Sequence, residues 1–467
     1  MNSPSFELPT EPPVAPPPVK AETRNYLGWF LLLVIFTYLV GSELVDYLDR
    51  RAPTPTNKYS ASAAQLKMGV QLKQSFGNFG SKGSSDLASP IREVEEDLAK
   101  EAPNDAIAAR IYSAARSEQG KEIPAPVLAQ LNSSKEPKDK LFAEIFSAKE
   151  LTKERAKELE TKLKGGGFIS KLATIQAYDK AGDSTKRDEL VSRSRSYAQI
   201  IVMVIALGAG GIGFVLLLIY LALKLGKQLP RKGLPLEHIS LADADRLAIR
   251  TAQILAIFMA VPLLLREIGI GAIGRYPASL LVSVLLIVGV LYIFRFPING
   301  KTFSLESIGI TKHNLGKNIA WGFGMALANL PLVLLMSLLG TWIFSGLPKP
   351  EHPITSEIAT GGMGIFGLVV TLFAASVCAP IIEEVMFRGS LLPALSRILK
   401  APVIAILLQG LIFAAIHPTG IPAWFALGTI GAMSGFLSRQ TGSLVPSIVM
   451  HAVHNLGTMM IAFTILS

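Results

Sequence analysis

The residues best placed to do chemistry lie in Ala379–Gly389, which reads APIIEEVMFRG. Glu383 and Glu384 sit side by side in apolar sequence, and Arg388 follows them. The run that leads in, from Gly364 to Ile382, is almost wholly apolar and long enough to span a bilayer. Each ionisable group at mid-membrane costs roughly 2.5–3.5 kcal/mol on insertion scales, so such groups are kept when paired, hydrated or functional. On a helix Glu384 and Arg388 are i,i+4 with the acid first, a pair that neutralises itself. Glu383 points about 100° away and has no local partner. Two later stretches offer one. Phe413–His417 (FAAIH) ends an apolar run, and His451–Asn455 (HAVHN) lies inside another. Three of the 6 histidines fall in these two stretches. His451 and Asn455 share a helix face. One carboxylate, two imidazoles and one amide can thus converge from separate helices, a set able to hold a water or a metal ion.

The order EExxxR, FxxxH, HxxxN on successive apolar helices resembles the CAAX protease and bacteriocin-processing family (CPBP, or ABI). Its members are intramembrane endopeptidases and include the type II CAAX prenyl endopeptidases. The matching positions are Glu383-Glu384 with Arg388, Phe413 with His417, and His451 with Asn455. The resemblance runs from about Ser304 to the C-terminus. It implies that Glu383, the first acid of the motif, is catalytic, with His417, His451 and Asn455 completing the site. Glu384 and Arg388 support it, and Phe413 packs beneath. His454 matches no family position.

Peptide hydrolysis needs an activated water, a proton shuttle and a stabiliser of the oxyanion. Glu383 fits the general base. The family is usually called metalloprotease, and His417, His451 and a glutamate make a plausible zinc shell with one position left for water. No H-E-x-x-H places two ligands and the base on one helix. The other mechanism is metal-free, with Glu383 activating water and the His and Asn side chains stabilising the oxyanion. The substrate implied is a membrane-embedded or lipid-anchored protein or peptide. Eukaryotic members of the family cut after a prenylated cysteine; bacterial ones are linked to bacteriocin processing and self-immunity. The competing reading is a non-enzymatic scaffold or self-immunity protein that keeps the family fold. A transporter is the third reading, and no internal inverted repeat supports it.

The rest of the chain must hold these groups in a membrane. Of 467 residues, 50% are hydrophobic and 17% charged, and the mean hydropathy is +0.42, outside the range of ordinary soluble proteins. The single cysteine, Cys378, rules out an intrachain disulfide framework and reads as a small core residue. A net charge of +10 comes with Lys and Arg flanking apolar runs, a topological signal rather than a nucleic-acid-binding one.

The expected fold is all-α: a polytopic transmembrane bundle of about nine spans, with an extramembrane helical domain inserted after the first. Residues 1–25 are a Pro-rich, disordered tail. Residues 26–45 form a signal anchor. Residues 46–196 form the helical domain, a platform for a protein partner, with a linker at Tyr59–Ser89. Its helices are expected at Asp86–Ala99, Asp105–Gln119, Pro124–Leu131, Lys138–Lys164 and Phe168–Gly182. Residues 197–300 add further spans, and 301–467 form the protease-like domain. Spans are expected near Tyr197–Leu223, Leu247–Leu265, Tyr276–Phe294, Ile319–Phe344, Gly364–Ile382, Val403–Ile416, Ala423–Leu437 and Leu444–Leu466.

Positive charges after alternate spans put the N-terminus in the cytoplasm, in what reads as a bacterial inner membrane. These boundaries carry a conflict. They set Glu383 and His417 at opposite membrane faces, some 20 Å apart in depth. A shared site requires either that the helix of Glu383 continue through Arg388 to about Ser396, or that the helix of His417 be short and tilted.

Overall fold

The computed structural model describes residues 23–49, 59–76, 89–164, 166–194, 197–229, 232–298, 300–345, 347 and 365–466. Among them there is no strand beyond one isolated bridge between Ile298 and Lys301. The predicted Pro-rich tail at 1–25 lies mostly outside the described residues. The bundle is helical throughout, as the composition requires. Six helices among the described residues are long and apolar enough to cross a membrane, and the apolar stretches Leu27–Ser42 and Pro402–Ala415 are shorter.

Helix α1 (Leu27–Asp49) opens the chain. The helical domain follows as α2 (Ser60–Phe76), α3 (Ser89–Leu98), α4 (Ala106–Glu118), α5 (Ala125–Ser133), α6 (Pro137–Ser147), α7 (Lys153–Leu163), α8 (Gly167–Lys180) and α9 (Ser184–Ser194). Two expectations change here. Part of the expected linker is helix α2, because Leu66 and Val70 repeat at i,i+4 and bury completely against Ile91 and Val94 of α3. The expected helix Lys138–Lys164 is two helices. Lys180 Nζ binds the carbonyls of Ile145, Phe146 and Ala148 and so stops α6, while Thr152 caps the start of α7 through the amide of Arg155. This domain has its own apolar core, built from residues between Tyr59 and Tyr178.

The membrane helices are α10 (Tyr197–Leu225), α11 (Leu241–Glu267), α12 (Arg275–Ile293), α13 (Leu315–Ile343), α14 (Ile365–Leu399), α15 (Pro402–Ala415), α16 (Trp424–Thr441) and α17 (Val445–Leu466). Leu32 of α1, Leu247 and Leu255 of α11, Leu286 of α12 and Phe387 of α14 share one core with Phe413 of α15. The helices outside the motif region therefore form a wall of the same bundle.

The expected boundary at Ile382 is the main correction. Helix α14 is a continuous run of 35 residues, so Glu383 lies near its midpoint. Lys400 ends it with a left-handed φ of 52°. Helix α15 then returns for only 14 residues, about 21 Å of rise against a core of about 30 Å. Glu383 and His417 are equally far in sequence from the Lys400 turn. Two antiparallel helices leaving that turn bring them to the same depth, and the conflict disappears.

Candidate active site

The local irregularity of α14 follows from its prolines. Pro380 has no N–H for the carbonyl of Ser376, and Pro393 has none for that of Gly389. Each deprived carbonyl lies in a π-helical segment, Ala374–Cys378 and Val385–Leu391 respectively. Extra residues in the turn absorb each missing bond. The two segments flank the regular turn Ala379–Glu384 that carries both glutamates.

Glu384 and Arg388 are both fully buried and form the expected i,i+4 pair, Arg388 Nη1 donating to Glu384 Oε1 at 2.9 Å. Breaking a buried pair of this kind typically costs 3–5 kcal/mol. Arg388 Nη2 donates to the Gly431 carbonyl of α16 at 2.7 Å. Its guanidinium also lies 5.0 Å from the Phe413 ring centroid. Access to that carbonyl depends on small residues. A Cβ on Gly431 would stand 2.8 Å from Gly410 Cα, so only glycine lets α15 and α16 approach here.

His451, 3% exposed, stands between the two carboxylates. Its Nδ1 is 3.0 Å from Glu384 Oε1, and its Nε2 is 3.7 Å from Glu383 Oε2. Because Glu384 Oε1 accepts from Arg388 and faces Nδ1, Nδ1 carries the proton and Nε2 presents its lone pair toward Glu383. Glu383 is partly accessible, and its Oε2 has no hydrogen-bond partner among the described residues. Glu384 Oε2 is unpartnered as well but its side chain is fully buried, so Glu383 is the carboxylate that a substrate or water can reach.

His417 Nδ1 lies 2.6 Å from the Phe413 carbonyl. A carbonyl only accepts, so Nδ1 is the donor and Nε2 is again the free nitrogen. The Phe413 ring touches the rings of His417 (4.6 Å), His451 (5.6 Å) and Phe387 (5.3 Å). Expected merely to pack beneath the site, Phe413 is the common wall that both imidazoles lean on. Asn455 Nδ2 donates to the Ala375 carbonyl at 2.8 Å, inside the first π segment. The amide orientation is fixed by that acceptor and leaves a second N–H.

Glu383, Glu384, Arg388, Phe413, His417, His451 and Asn455 are therefore linked through contacts among α14, α15 and α17. The sequence signalled all of them. It did not signal the backbone partners, the carbonyls of Gly431 and Ala375, since a carbonyl has no residue type. The glycines at 428, 431 and 435 on α16 were the available clue.

A catalytic zinc needs three protein donors. Among the described residues no three His, Cys, Asp or Glu side chains are set to hold a metal ion. Glu384 is already engaged by Arg388 and His451, and the free Nε2 of His417 does not complete a three-donor group with Glu383 and His451. The donor set does not fit a zinc shell, and no step below uses one.

The family described as Type II CAAX prenyl endopeptidase Rce1-like matches residues 365–457. No curated protein and no solved structure matches the chain significantly. The matched segment begins at α14 and ends two residues beyond Asn455, so it contains all three motifs and the whole constellation described above. This part of the chain, α14 through most of α17, is similar to the type II CAAX prenyl endopeptidase domain.

Proposed function

We propose that the chain is an intramembrane endopeptidase that hydrolyses a peptide bond of a membrane-embedded or lipid-anchored protein or peptide. The observation that carries this reading is the free Oε2 of Glu383 facing Nε2 of His451 at 3.7 Å inside an apolar bundle. That separation is too long for a direct hydrogen bond and suits a water donating to both atoms. Glu383 takes the water proton as the hydroxyl attacks the scissile carbonyl. The developing oxyanion is met by the second N–H of Asn455. Glu383 then returns the proton to the leaving nitrogen as the C–N bond breaks. His417, its Nδ1 held by the Phe413 carbonyl, keeps Nε2 free for the bound substrate. Glu384, neutralised by Arg388, fixes the tautomer of His451 and takes no part in bond making.

The mechanism needs no metal: base, tautomer control and oxyanion donor all come from side chains. A cytoplasmic N-terminus, from the distribution of Lys and Arg, and a bacterial inner membrane belong to the same proposal. The test is cleavage of a membrane-anchored reporter by detergent-purified protein and by Glu383→Gln. A folded Glu383→Gln variant that still cleaves would favour the scaffold or self-immunity reading.

A further inference from the structure

The helical domain contains a cavity of about 510 Å³ where α7, α8 and α9 meet. Leu163, Ile175 and Leu190 supply apolar walls, and Lys164 and Lys171 line it beside Gly167. Gly167 begins α8, and no side chain caps this helix start. Its first-turn N–H groups and the positive end of the helix dipole face whatever occupies that end. A third cation, behind the lining residues, comes from another helix. Lys67 of α2 is only 8% exposed and has no carboxylate or hydrogen-bond partner among the described residues. Its ammonium lies 6.0 Å from the ring centroid of Phe168, in the same first turn of α8. Burial, and then the charge of Lys171, push its pKa down to about 8. The acid on the cavity wall is engaged elsewhere: Glu160 accepts from Tyr178 at 2.6 Å. An uncapped helix start, two lining lysines and a buried unpaired lysine nearby concentrate positive potential at one end of a pocket whose apolar walls are Leu163, Ile175 and Leu190.

We propose that this pocket binds an extended peptide by its carboxylate, with apolar side chains against Leu163, Ile175 and Leu190. A free inorganic anion would leave those walls unused. The volume falls in the usual range for ligand sites, roughly 300–1,000 Å³. The domain is thereby a peptide-recruiting module beside the membrane site, for which α2 also touches α17, the helix of His451 and Asn455. This inference stands apart from the protease reading, because its readout is binding.

The experiment uses full-length protein in detergent, carrying Glu383→Gln so that no probe is consumed. The probe is an N-terminally fluorescein-labelled Leu-Ala-Leu-Val peptide, as free acid and as C-terminal amide, followed by fluorescence polarisation. The free acid is expected to bind saturably and the amide at least tenfold more weakly. Lys171→Gln, an exposed position, and Lys67→Met are each expected to weaken the acid at least fivefold without lowering the Tm. Equal binding of acid and amide, unchanged binding by both lysine variants, or no saturable binding overturns the proposal. Binding of inorganic phosphate with no binding of the peptide acid overturns the peptide assignment as well.

Discussion

Nε2 of His451 stands 3.7 Å from the unpartnered Oε2 of Glu383, while the other nitrogen of the same ring is held 3.0 Å from Glu384. One imidazole therefore separates two adjacent carboxylates with different duties. Glu384 is fully buried and its Oε1 serves both Arg388 and the ring; Glu383 is the accessible one, its side chain 18% exposed. From this asymmetry the two glutamates are expected to respond differently to substitution.

Glu384→Gln removes the charge that Arg388 and His451 share. Leaving Arg388 buried without a counter-ion should destabilise the bundle by about 3–5 kcal/mol. The variant should show a clearly lower Tm and activity reduced by about 10²-fold or more, since the His451 tautomer is no longer fixed. Thermal melting and reporter cleavage measure both. A Glu384→Gln protein with unchanged Tm and rate contradicts the assigned role.

Asn455→Ala deletes both the bond to the Ala375 carbonyl and the N–H assigned to the oxyanion. Removing one such donor costs about 10²–10³ in kcat. The loss should fall on kcat with KM little changed. A rise in KM at constant kcat would instead make Asn455 a substrate-binding residue.

Chelation should not inhibit. With no three-donor group among the described residues, prolonged EDTA treatment is expected to leave the cleavage rate within about twofold, far from the loss expected when a catalytic metal is removed. Stoichiometric zinc in the purified protein, with activity lost on chelation and restored by zinc, contradicts the metal-free mechanism.

Much of the site could be read from the sequence because its groups are costly in a membrane. Glu383, Arg388 and His451 are conspicuous wherever the surrounding residues are apolar. Hydropathy alone misplaced the end of α14, because it registers the charged EExxxR segment as an exit from the bilayer. In the structure, pairing of Glu384 with Arg388 lets the helix carry these residues inward. The π segments were not legible either, although Pro380 and Pro393 mark them once the helix is known to continue. In the helical domain, the Ser- and Gly-rich composition near Tyr59 hid α2, whose buried apolar side chains Leu66 and Val70 dock it.

Lys67 gives a pH signature in that domain. Its folded pKa is pushed down to about 8 from an ordinary 10.5. Between those values the unfolded chain binds the extra proton, so stability rises as pH climbs from about 8 to about 10.5. Lys67→Met should raise the Tm near neutral pH and remove that rise. Melting curves across this range check it; a wild-type Tm unaffected by Lys67→Met at every pH contradicts it.

Helix α1 is pinned to α11 as part of the bundle. Arg24 makes bonds of 2.7 and 2.9 Å to Asp245, and Trp29 Nε1 donates to the same carboxylate at 3.0 Å. A Cβ on Gly28 would stand 2.4 Å from the Ile249 amide nitrogen. Gly28→Leu should therefore part the two helices and lower stability by about 1–3 kcal/mol, read as a reduced Tm in detergent.

The most direct measurement is reporter cleavage by Glu383→Gln, a change of one carboxylate oxygen to an amide in an otherwise intact site. The account predicts a protein that inserts and melts like wild type and cleaves at least about 10³-fold more slowly, as expected for loss of the general base. Cleavage within about tenfold of wild type by the folded variant would remove Glu383 from the chemistry and contradict the mechanism.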